Sequence, residues 1–184
     1  TVVSSRSSAT AASLRGDGVI DFSGSLDLVQ AFGPYLRVPE STSRRTMQLA
    51  RSLADGTTST YDTVKAIERW LGENVSYTLD APVPPDGADA VDHFLFETRL
   101  GFCQHFSSAY AVFMRAAGVP TRVVTGYVGG HYNALGDYWL LKHKDAHAWT
   151  EIWVRGVGWV RVDPTAAIAP ENILDTLDDL QARQ

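Results

Sequence analysis

Gly118-Val119-Pro120 divides this chain into two kinds of sequence. Before it, apolar residues recur at helical spacing. After it, they come in short β-branched and aromatic runs. Gly118 suits the left-handed residue that closes a helix, and Pro120 stops any continuation. On the helical side the spacing predicts helices over 44–54, 61–74 and 103–117, with a brief one over 92–97. Val64, Ile67 and Leu71 form one apolar face. Phe106, Ala109, Tyr110, Phe113 and Ala117 form another. A short strand is expected over 75–79, then a turn-rich loop, DAPVPPDGADA, whose prolines exclude a central strand. Beyond Pro120, strands are expected over 121–128, 138–143, 146–154 and 159–163, the last two joined by the turn Arg155–Gly158. Helices first and hairpin-linked strands later predict an α+β fold with an antiparallel sheet.

The first 27 residues are rich in Ser, Ala, Thr and Gly and show little periodicity. Residues 1–33 are therefore expected to be an extended or linker segment, and 173–184 a tail, helical by its pattern. The 184 residues are 45% hydrophobic, enough for one domain with a real core. Net charge is −5 and Lys/Arg residues do not cluster, so no nucleic-acid partner is expected. No apolar run reaches the roughly 18 residues needed to cross a bilayer, and no signal-peptide pattern stands at the start. Membrane spans flanking this stretch in a longer protein remain compatible with it.

Cys103 is the only cysteine. A lone cysteine is more often a small buried apolar residue than a nucleophile. Here it stands at a predicted helix start, where the helix dipole and free N–H groups favour the thiolate. His147 opens one predicted strand and Asp163 closes the next. If those strands form a hairpin about residues 155–158, the two become neighbours. Histidine could then take the thiol proton, and the carboxylate could fix the histidine tautomer. Gly101 reads as space for an approaching substrate backbone. Cys103-x-His105, with His93, His131 and His143, fits no strong zinc spacing, and no metal is expected. His131 and Tyr132 read as solvated residues of a Gly-rich loop.

Three blocks, GFCQHFSSAYAVFMRAAGVPTRVVTGYV, DAHAWTEIWV and GWVRVDPT, resemble the transglutaminase-like superfamily over about residues 34–172. The likeness is greatest to a bacterial branch in which a multi-pass membrane protein carries the domain outside the cytoplasm. The resemblance implies a papain-like core, with the cysteine helix packed on the antiparallel sheet. It implies Cys103 as nucleophile, His147 as general base and acid, and Asp163 as orienting carboxylate. The implied reaction is acyl transfer from a glutamine side chain of a protein or peptide to an amine, through a thioester. Some animal relatives use calcium, but this chain shows no acidic loop of the EF-hand kind, and no cofactor is expected. The Cys103 backbone N–H is one oxyanion donor. Tyr77 and Trp149 are candidates for a second donor or for the cleft wall, and packing would suit either equally. A peptidase, an amidase and a non-catalytic interaction module stay open beside the transferase.

Overall fold

The structure is a computed structural model and describes residues 26–168. The expected C-terminal helical tail lies outside the described residues. Helix α1 spans Leu26–Leu36. It takes in the last residues of the 1–33 segment expected to be extended, whose residues 1–25 lie outside the described residues. Phe32 and Tyr35, three residues apart on one face, give the helix its reason to form. Phe32 lies 5.0 Å from Trp153, and Tyr35 lies 4.9 Å from Trp159, between ring centroids.

Helices α2 (Arg44–Ala54) and α3 (Thr60–Asn74) start where serine caps allow. Ser43 Oγ accepts from the Thr46 N–H and Ser59 Oγ from the Asp62 N–H, each at 3.1 Å. Strand β1 is only Ser76–Tyr77, shorter than the 75–79 expected. It pairs in parallel with β2, Leu100–Gly101. Between them, one α-turn at Ala90–Asp92 runs into a π-helical segment, His93–Thr98, which ends at Arg99 with φ 54°.

Helix α4, Cys103–Ala116, is the spine of the domain. It closes as Gly118 predicts: φ is 80°, and the Val119 N–H donates to the Met114 carbonyl at 2.9 Å. Its Phe106, Ala109, Tyr110 and Phe113 are fully buried among Ala50, Ile67 and Leu71 of α2 and α3 and Ile152 and Val154 of the sheet.

That sheet has β3 (Thr121–Tyr127), β6 (Ala146–Val154) and β7 (Gly158–Val162), ordered β3-β6-β7 and antiparallel throughout. Along β6 the alternation is clean. Residues 148, 150, 152 and 154 are buried, while 147, 149, 151 and 153 are half-buried on the opposite face. Between β3 and β6 the chain makes a separate hairpin of β4 (His131–Asn133) and β5 (Tyr138–Leu140). The strand expected over 138–143 therefore does not join the main sheet, and His131 and Tyr132 belong to a strand rather than a loop. A short helix α5, Pro164–Ile168, follows β7. The expected α+β class and the cysteine helix packed on an antiparallel sheet are both present.

Candidate active site

Cys103 is the first residue of α4. The turn that presents it is held by its own neighbours. The Phe102 N–H donates to His105 Nδ1 at 3.3 Å, and the His105 ring packs edge-on to Phe102 at 4.5 Å. Burial pushes the His105 pKa down, which keeps the ring neutral and able to accept. His105 is thus a helix cap, and that use explains the Cys-x-His spacing. Gly101 has a packing reason as well. A Cβ there would meet His105 Cβ and Phe94 Cε2 at 2.7 Å, so the glycine seats the cysteine turn on its support rather than clearing a path for substrate.

His147 is the second residue of β6, opposite Gly126 of β3. The β6–β7 register runs from Val154↔Gly158 to Thr150↔Val162. One step further sets Asp163 beside Trp149, two residues from His147 and on its face. The hairpin expected from the sequence therefore forms, with the pair diagonal rather than directly opposed. His147 Nε2 donates to Asp163 Oδ2 at 2.8 Å, and both side chains are only 10% exposed. The other carboxylate oxygen, Oδ1, accepts from the Thr165 N–H at 3.2 Å and the Ala166 N–H at 3.4 Å. Asp163 is therefore the N-cap of α5, with Pro164 at the first helical position. The Asp-Pro-Thr run fixes the carboxylate by ordinary capping.

With Nε2 committed to Asp163, Nδ1 is left for the thiol, and His147 and Cys103 are close enough for each to shift the other's pKa. Ser107, one turn along α4, donates to the Ala148 carbonyl at 3.0 Å and docks the helix on β6 beside the histidine. Burial alone would raise the Cys103 pKa. His147 and the backbone N–H groups of Ala148 and Gln104 outweigh it, and the net shift is downward. Burial likewise works against the imidazolium, yet Asp163 and Cys103 hold the His147 pKa up at about 9. Asp163, for which burial favours the neutral acid, is instead brought below its usual range by His147 and Arg161. The arrangement favours a thiolate–imidazolium pair with a carboxylate behind it.

Arg161 and Trp149 complete the surround. Arg161 Nη2 donates to Asp163 Oδ2 at 3.0 Å, the oxygen that also serves His147. Its guanidinium lies 4.3 Å above the Trp149 ring, which is stacked beside His147 at 6.2 Å. Sequence reasoning overlooked Arg161, although its place two residues before Asp163 on a strand puts both on one face.

A cleft of about 650 Å³ opens over the thiol. Tyr77, Leu79 and Phe102 line it together with Cys103, His147 and the β3 residues Thr125 to Tyr127. Tyr77 shares this cleft with Cys103. Burial, then the negative charge of Cys103 and Asp163, raises its pKa and keeps the phenol protonated. Trp149 is not among the residues lining this cleft. Sharing the parity of His147, it stands beside the imidazole, with the two ring centroids 6.2 Å apart.

The profile of the transglutaminase-like superfamily matches residues 47–164. A protein-glutamine gamma-glutamyltransferase of Pseudomonas aeruginosa is 44% identical over 148 residues, which are 80% of this chain and 22% of that protein. The uncharacterized protein YebA of Bacillus subtilis is 39% identical over 137 residues, 71% of this chain and 19% of that one. The chain thus spans about a fifth of the length of these relatives. The crystal structure of the periplasmic domain of TgpA from Pseudomonas aeruginosa superposes with a TM-score of 0.72 at 42% identity, covering 82% of this chain and 52% of that one.

Proposed function

This chain belongs to the transglutaminase-like superfamily, and on that footing we propose that it is a cysteine-dependent acyltransferase acting on glutamine side chains. The supporting observation is Cys103 beside His147 in an open cleft, with His147 hydrogen-bonded to Asp163 behind it. The Cys103 thiolate attacks the carboxamide carbon. The developing oxyanion is held by the Cys103 backbone N–H at the α4 terminus, with the Tyr77 hydroxyl as second donor. Protonated His147 gives its proton to the leaving nitrogen. The C–N bond breaks, ammonia departs and a thioester remains. His147, now neutral, takes a proton from an incoming amine as that amine attacks the thioester carbon. The C–S bond then breaks and the thiolate–imidazolium pair returns. Asp163 keeps Nε2 protonated throughout, so Nδ1 alone exchanges protons.

The partners on this reading are a protein or peptide bearing glutamine and a primary amine such as a lysine side chain. Likeness to a periplasmic domain supports an extracytoplasmic site for the chemistry. Incubation with a glutamine peptide and a labelled primary amine, followed by mass spectrometry, tests the assignment. An amide adduct on glutamine is expected. Conversion of glutamine to glutamate alone would make this a deamidase, and backbone cleavage a peptidase. No product above a folded Cys103→Ala control would overturn it.

A further inference from the structure

The proline-containing segment after β1 takes no part in the chemistry above, yet it passes two cavities. Leu79, 80% exposed, lines the catalytic cleft. Four residues on, Val83, 87% exposed, lines a second pocket of about 290 Å³. Phe102 and Gln104, on either side of Cys103, line both cavities. The second pocket therefore adjoins the first across the cysteine turn, and one strip of chain edges the two. Ala81, Pro82, Pro84 and Val91 make its walls apolar. Prolines at 82, 84 and 85 fix φ, so this wall is held in shape before anything binds. Branched aliphatic side chains turned outward at the rim of a concave site mark a contact surface.

We propose that this second pocket is a subsite for an aliphatic or aromatic side chain of the peptide substrate, two residues from the glutamine attacked by Cys103. The inference rests on reading the main cleft as the acyl-transfer site. Spacing favours the two-residue offset. Ser108, the lining residue furthest along α4, lies five residues from Cys103, so the pocket reaches about 7.5 Å of helical rise from the thiol's position. Two residues of an extended chain span about 6.8 Å, and their side chains point the same way. Chemistry favours an apolar occupant. The walls carry no formal charge, and Asp80 and Asp86 stand just outside the proline strip in sequence, which disfavours acidic side chains there.

The test uses labelled glutamine peptides otherwise built of Gly and Ser, with Leu, Phe, Ser or Asp placed in turn at each position within three residues of the glutamine. Binding is read by fluorescence anisotropy on full-length Cys103→Ala, so the result does not depend on which acyl chemistry follows. Leu or Phe at one position two residues away should tighten binding about 10-fold over Ser. Ala90→Phe, placed at an exposed wall position in the Cys103→Ala background, should abolish that preference with the circular dichroism spectrum retained. Equal affinity for all peptides, or a preference that survives Ala90→Phe, would overturn the subsite. Selective binding without any acyl transfer by the wild type would retain the subsite and overturn the transferase reading instead.

Discussion

Cys103 feels opposing pulls on its proton: burial holds it, while His147 and two backbone N–H groups draw it away and prevail. The sign of the pH dependence follows. The thiolate–imidazolium pair persists from the lowered Cys103 pKa up to the His147 value of about 9, and is lost outside that window. Iodoacetamide should therefore alkylate wild-type Cys103 faster than a free thiol at pH 6. His147→Ala should react about 100-fold more slowly there and recover only as the pH rises toward an ordinary thiol value. Asp163→Asn should lower kcat by about 100-fold, against 10,000-fold or more for Cys103→Ala, because it orients a base and does not itself attack. Arg161 acts one step further out. By sharing Asp163 Oδ2 it restrains how strongly the carboxylate holds the imidazolium. In Arg161→Met, the alkaline limit of the alkylation profile should move upward. Arg161→Lys, which keeps the charge, should restore the wild-type limit, whereas a purely packing role for Arg161 would leave it unmoved.

The β3–β6–β7 sheet sets the distances on which those residues depend. Gly126 faces His147 across β3–β6, and a Cβ there would come within 2.9 Å of the Trp149 ring. Gly126→Ala should push the indole against the imidazole and lower kcat/KM about 10-fold with the fold retained, as circular dichroism would show. How much of this could be read beforehand depended on the range of the interactions. The His147–Asp163 pairing was legible because strand alternation and a four-residue turn fix register locally. Helix α4 was legible from its face and its Gly-x-Pro end. Trp149 shares the face of His147 by strand parity, but which neighbours its ring meets depends on packing that only the folded chain supplies. Gly101 was misread because its reason is the His105 and Phe94 side chains, which reach it only after folding. The β4–β5 hairpin was half missed because its Gly-rich start conceals a strand whose partner lies seven residues on.

At the scale of the molecule, α1 covers the back of the sheet. Phe32, Tyr35, Trp153 and Trp159 pack as one aromatic group, and Arg122 lies 4.3 Å over Trp159. Arg115, at the far end of the cysteine helix, donates to the Arg37 carbonyl at 2.9 Å just past α1. This helix was not anticipated because its partners are some 120 residues away in sequence. Trp159→Ala should reduce stability by about 3 kcal/mol and lower Tm by roughly 10 °C. Calorimetry would measure it, and a change under 2 °C would mean that α1 contributes little to the domain.

The acidified thiol also inverts a familiar behaviour. A cysteine held in a fold usually becomes more reactive as the protein unfolds, because burial had shielded it. Cys103 owes its reactivity to a helix start and to residues 44 and 60 positions away along the chain. Denaturation in mildly acidic buffer should therefore slow its alkylation, and the loss of rate should follow the loss of ellipticity through a single transition. The rate at which this one sulfur is labelled then reports the fraction of folded molecules, with no probe added to the chain.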